Sequence, residues 1–159
     1  MTEDKDEPKR GKEGLWRRVE HQHLARLSEN ERMLIETIQT LDERYPNLLV
    51  IVEGKRDVSV LRNLGVKAPI IKTQTLLTRP QLIEKIQAKA GKKGQVLILT
   101  DFDKKGKEIY KFLEKELELS GIKNLKRERR MIRKYMEHQI TIEQLVYLFK
   151  RRDSPEASR

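Results

Sequence analysis

Apolar residues follow two different periods along this chain. Over residues 15–44, with Tyr45 just beyond, Leu24, Leu27, Leu34, Ile38, Leu41 and Tyr45 recur mostly at three- and four-residue steps, the spacing of one helix face. Ser28 followed by Glu31 has the form of a capping box, which predicts two helices broken near Ser28. Pro46 and Asn47 end the segment. The stripe is expected to pack on a sheet. A dimer-forming coiled coil fits less well, because Glu31 would fall in its seam.

Beyond Asn47 the pattern changes. LLVIVEGKRD (48–57) and VLILTDFDKKG (96–106) are unbroken, β-branched apolar runs that stop abruptly at acid. Such runs read as parallel strands buried on both faces. The pattern predicts a strand at 48–53, a helix at 56–64 stopped by Gly65, and a short strand at 69–72. A helix at 78–90 follows, with Thr78 and Gln81 as a capping box and Gly91 at its end. Next come a strand at 95–100, a helix at 104–119 with Ile109, Phe112, Leu113 and Leu117 inward, and a last short strand at 122–125. This alternation implies right-handed crossovers and one parallel sheet. Thr141 is expected to cap a final helix whose apolar face is Leu145, Leu148 and Phe149. The predicted organisation is a disordered polar tail at 1–14, helices at 15–47, the α/β domain at 48–125, basic helices at 126–152 and a second tail at 153–159.

Composition narrows the partner more than the fold. The 159 residues hold one domain with extensions, and 38% of them are charged. Net charge is +10, and residues 121–152 alone carry ten Lys and Arg against three Glu. That excess points to a polyanion, DNA or RNA. A Lys/Glu-rich protein of a heat-loving organism has similar composition. With no Cys there is neither a disulfide framework nor a thiolate metal site. No apolar stretch reaches the ~18 residues of a membrane span. A cytoplasmic protein with no membrane partner is expected, as a monomer or homodimer.

The two runs deliver Glu53 and the pair Asp101 and Asp103 to their ends. In an open parallel sheet, chemistry sits just beyond the carboxyl ends of the strands. Carboxylates gathered there repel unless one is protonated or a cation bridges them. Lys55, Arg56, Lys104, Lys105 and Lys107 crowd the same place. Acid at the centre with base around it suits a metal ion acting on a phosphate. Each acid also has a plainer reading: Asp103 as the N-cap of the next helix, and Asp57 as a helix-start acid.

Taken together, VEGKRD and LTDFDKKGKEI resemble the Toprim domain, whose signature is a Glu after the first strand and Asp-x-Asp after a later one. The strings are most similar to the small ribosomal-RNA-maturing Toprim nucleases and to the stand-alone small Toprim proteins typical of archaea. The resemblance implies a Rossmannoid α/β fold, a four-stranded parallel sheet flanked by helices, here with N- and C-terminal helical extensions. It implies that Asp101 and Asp103 hold Mg²⁺ (or Mn²⁺) and that Glu53 is a ligand or a general acid/base. It also implies that Asp57 helps bind a second metal. Phe102 is expected to tuck into the core. Gly54 and Gly106 would admit phosphate to the backbone, and the five cations would contact the nucleic-acid backbone without reading sequence.

The expected function is metal-dependent phosphoryl transfer on DNA or RNA: strand cleavage, or ATP-independent rejoining. The alternative is a non-catalytic nucleic-acid-binding module whose acids form a structural metal site. GKKG at 91–94 lacks P-loop spacing, and Val58 replaces the Gly of a Lys-x-Asp-Gly ligase motif. His21 and His23 sit two apart on a helix and face different ways. Tyr135 is the one tyrosine placed to serve as a nucleophile. The segment 126–152 is open to three roles: a nucleic-acid-binding arm, a dimer contact, or a lid over the sheet edge.

Overall fold

The computed structural model describes residues 27–148. The expected tails, the start of the first helix, His21, His23 and Phe149 lie outside the described residues.

The first described helix begins where the Ser28 cap predicts. Glu31 N donates to Ser28 Oγ and Ser28 N donates to the Glu31 carboxylate, at 3.1 and 3.0 Å. Helix α1 then spans Glu29–Gln39, and a one-turn helix α2 spans Leu41–Arg44. The break between them falls at Thr40, whose hydroxyl donates back to Glu36 O.

The α/β series follows in the expected order: β1 Leu48–Val52, α3 Lys55–Asn63, β2 Ile70–Lys72, α4 Arg79–Ala90, β3 Gln95–Ile98, α5 Lys104–Leu119 and β4 Lys123–Asn124. Then come α6, Lys126–Tyr135, and a 3-10 turn, Glu143–Val146. The four strands form one parallel sheet in the order β2-β1-β3-β4. The expected fold class, an α/β parallel sheet flanked by helices, is the observed one.

Period-two alternation assigns the strand residues to two cores. Leu48, Val50 and Val52 of β1, with Leu97 and Leu99, pack against Leu34, Ile35, Ile38 and Leu41 of the first helices. Ile132, Met136, Ile142, Leu145 and Leu148 close the same layer, so both ends of the described chain share one core. Leu49, Ile51, Val96 and Ile98 face the other way, onto Leu82, Ile83 and Ile86 of α4 and Leu113 and Leu117 of α5. Both faces of β1 are therefore dry, which is why all five of its residues are apolar.

Two boundaries differ from expectation for physical reasons. Strand β3 ends at Ile98 rather than Thr100, where the Thr100 hydroxyl instead donates to Gly106 O in the first turn of α5. The segment after Thr141 opens as a 3-10 turn rather than an α-helix. Gln144 Oε1 accepts from both Ile140 N and Thr141 N there, which tightens the chain, while Thr141 Oγ1 caps Gln144 N as expected.

Strand order positions the site. From β1 the chain goes to β2 on one side, then crosses to β3 on the other. The carboxyl ends of β1 and β3 flank this reversal, where open α/β sheets bind ligands.

Candidate carboxylate site

Glu53 leaves the end of β1 and Asp101 follows the end of β3. The two strands are paired neighbours, so these residues meet although 48 positions apart in sequence: Asp101 N donates to Glu53 Oε2 at 2.7 Å. Glu53 is buried. Asp57 reaches back from the first turn of α3 and accepts from Gly54 N at 2.9 Å, and it too is buried. Asp103 is the N-cap of α5 and accepts from Gly106 N at 2.7 Å. The plainer readings of Asp57 and Asp103 thus describe real contacts.

Gly106 is required by packing. A Cβ there would lie 2.0 Å from Asp101 O. The close approach it permits is to the backbone of the Asp101 turn rather than to open space for a phosphate. At Gly54 a Cβ would meet only the end of the flexible Gln74 side chain, at 2.8 Å.

A pocket of about 290 Å³ opens at this sheet edge, lined by Glu53, Gly54, Lys55, Arg56, Asp57, Gln74, Asp101 and Glu143. Of the residues expected from sequence, it gathers Glu53, Asp57, Asp101, Lys55 and Arg56. Asp103, Lys104, Lys105 and Lys107 lie outside its lining, at the start of α5, where the three lysines are exposed.

Glu143 was not expected. It comes from the 3-10 turn and pairs with Arg56 at 3.0 Å. Both side chains are at least half exposed, so the pair adds little stability. The same segment makes two further bonds: Phe102 N donates to Ile140 O at 2.6 Å, and Ile142 N donates to Asp101 Oδ1 at 2.9 Å. Residues 140–143 therefore bond to the Asp-x-Asp turn and add Glu143 to the pocket wall.

Burial, with charge crowding behind it, shows in protonation. Burial pushes the Asp101 carboxyl up to about 7; the bond from Ile142 N opposes this, and Glu53 and Asp103 add to it. Burial likewise raises Asp57, against the bond from Gly54 N and with help from Asp101 and Glu143.

Behind the Asp-x-Asp turn sits Arg129 of α6, also missed in the sequence. Its Nη1 donates to Ile98 O and Thr100 O, both at 2.9 Å. Its guanidinium lies 4.3 Å from the Phe102 ring centroid and 4.2 Å from that of Tyr110. Phe102 is buried as expected. Burial lowers the Arg129 pKa to about 10, leaving it charged at neutral pH. The only signal in the sequence was an Arg among apolar residues of an amphipathic helix.

The donor set is entirely hard carboxylate oxygen, which suits Mg²⁺ or Mn²⁺ and not a thiophilic metal. Among the described residues no three acidic or histidine side chains converge to enclose an ion. Mg²⁺ is commonly held by one or two carboxylates, with water and phosphate oxygens completing the shell, so this arrangement fits it.

A parallel sheet with acids at its switch point, ringed by cations, is the build of a metal-binding, nucleic-acid-related α/β domain. The Toprim domain family matches residues 48–135, more than half of the chain, and the chain belongs to that family. Toprim domains occur in nucleases, primases and topoisomerases and bind divalent metals, typically Mg²⁺. Among curated relatives, a UPF0292 protein of Thermococcus gammatolerans is 46% identical over 91 residues, 57% of this chain and 63% of that protein. UPF0292 protein PYRAB04740 of Pyrococcus abyssi is 42% identical over 103 residues, 64% of this chain and 74% of that protein. The chain spans 63%, 63% and 59% of the length of three Thermococcus relatives. A solved structure of a protein from Aquifex aeolicus shares the fold, with a TM-score of 0.58 at 23% identity over 69% of this chain and 94% of that one. Among the described residues no helix is long and apolar enough to cross a membrane.

Proposed function

We propose that this chain catalyses Mg²⁺- or Mn²⁺-dependent phosphoryl transfer on DNA or RNA phosphodiesters, with strand cleavage as the default outcome. The observation that carries the reading is the Glu53–Asp101 contact at the switch point, at the edge of a pocket whose other walls include Asp57, Lys55 and Arg56. In this reading Asp101 and Asp103 would hold the metal with water and phosphate oxygens, Glu53 would serve as a further ligand or as general acid/base, and Asp57 would support a second ion. A bound divalent ion supplies charge neutralisation at the phosphate and a more acidic water. Burial pushes the Asp101 carboxyl up to about 7 in the metal-free protein, so ion binding there would displace a proton. Lys55, Arg56, Lys104, Lys105 and Lys107 would position the strand through its phosphates. Residues 48–125 would carry the signature acids, with the described residues 27–47 and 126–148 packed against them. Rejoining without ATP would require the strand end to be held as a covalent phosphoester on a protein side chain, which leaves when the free hydroxyl end attacks the phosphorus.

A second reading has its own support. Each carboxylate is already held by a backbone N–H: Glu53 by Asp101, Asp57 by Gly54, Asp103 by Gly106 and Asp101 by Ile142. Such a site suits a non-catalytic nucleic-acid-binding module.

Turnover separates the two. End-labelled nicked, linear and single-stranded DNA and a structured RNA are incubated with Mg²⁺, Mn²⁺ or EDTA, without ATP, and run on a denaturing gel. Metal-dependent shorter products are expected, lost in Asp101→Asn/Asp103→Asn, which should still bind the substrates. Longer products would mean strand joining. Salt-sensitive binding with no product from any substrate would favour the non-catalytic module, and full metal-dependent turnover by the double variant would remove the site assignment.

A further inference from the structure

We infer that Leu76 is an apolar wedge that packs against an unstacked base of a bound nucleic-acid strand beside the carboxylate pocket. The inference rests on the nucleic-acid reading above and adds a contact to it.

Leu76 has a relative exposure of 105%, so it contributes no burial to the fold, and its neighbour Leu77 is 39% exposed. A single exposed leucine is ordinary; this one is distinguished by its mounting. The loop that carries it leaves the carboxyl end of β2, at the same sheet edge as Glu53 and Asp101. Its base is fixed: Thr73 N donates to Val52 O and Gln74 N to Glu53 O, both at 2.8 Å. On the far side, the Thr78–Gln81 capping box anchors the loop to α4. Inside it, Leu77 N donates to Thr75 Oγ1 at 3.1 Å. Gln74 lines the pocket itself. Leu76 is two residues further on, a span of at most ~7 Å, or about two base steps along a strand.

Charge selects the occupant. From Val58 to Ile83 the chain contains no Asp or Glu, while Lys72 and Arg79 flank the loop and Lys55 and Arg56 line the pocket it borders. This segment of the rim thus offers cations and no carboxylate, and Glu143 in the pocket wall is paired with Arg56. Exposed leucines inserted between bases unstack them and gain the apolar face of the ring.

The test uses 2-aminopurine placed at successive positions of a DNA oligonucleotide and of its RNA counterpart. Binding and fluorescence are read in EDTA, so turnover does not intervene. Leu76→Ser is compared with wild type and with Leu119→Ser. Leu119 is 73% exposed at the end of α5 that points away from the site edge. Wild type should raise the fluorescence of one position. Leu76→Ser should abolish that rise and weaken binding about tenfold with an unchanged salt slope, while Leu119→Ser behaves as wild type.

Equal affinity and equal fluorescence for Leu76→Ser would overturn the inference. So would sedimentation showing that Leu76→Ser dissociates a wild-type dimer, which would make the loop a self-association surface. Wild type that binds neither oligonucleotide would remove the nucleic-acid reading as well. Wild type that binds while Leu76→Ser is indistinguishable from it would remove only the wedge.

Discussion

Asp101 ionises near 3.8 in an open chain and near 7 in the fold, chiefly because it is buried. Between those values the folded protein binds more protons than the unfolded one, so stability falls as pH rises from about 4 to about 7. The Tm of the metal-free protein should therefore drop between pH 5 and pH 8. Asp101→Asn should flatten that drop, measured by calorimetry in EDTA. Divalent cations compete with the same proton, so their affinity should climb over the same range. The sequence made a raised carboxyl pKa foreseeable, because it sends three acids to one sheet edge. It did not indicate that Asp101 would carry the rise, nor that Ile142 N, 41 residues later, would donate to its carboxylate and oppose the rise, because no local pattern connects the two. Gly106 was legible as a special position, but the reason, Asp101 O standing where a Cβ would go, needed coordinates.

Strands β1 and β3 were readable because both of their faces are buried, which leaves an unbroken apolar run. Strand β4 pairs at only two residues at the sheet edge and left a weaker trace. Helix α6 was readable as basic and amphipathic, but not as the support of the Asp-x-Asp turn. A buried Arg is indistinguishable from a solvated one until Ile98 O and Thr100 O are seen beside it. Replacing Arg129 by Met keeps the bulk and removes the donors. The two carbonyls then lose their partner, and a loss of about 2 kcal/mol or more is expected, measured as a lower urea midpoint. The turn should also loosen, so metal affinity should fall further in Arg129→Met than in a surface control such as Arg130→Met.

Over the whole molecule the net charge of +10 predicts that the proposed nucleic-acid binding weakens steeply with salt. Lys104 and Lys105 are exposed beside the site. If both contact phosphates, Lys104→Ala/Lys105→Ala should reduce the slope of log affinity against log salt by about 2 on duplex DNA, measured by titration at several salt concentrations. Net charge was plain from composition. The contribution of the chain's later part to the site was not, because Ile140, Ile142 and Glu143 carry no motif. The region matching the family stops at residue 135, yet the Asp101 carboxylate takes a hydrogen bond from Ile142, and Glu143 forms part of the pocket wall. A fragment trimmed to the family's borders would thus contain every signature acid and still lack part of the site. It would also expose the apolar layer that Met136, Ile142, Leu145 and Leu148 cover. Inactivity in such a fragment would say nothing about the intact protein, and grafting residues 48–135 onto another scaffold would transplant the motif without its surroundings.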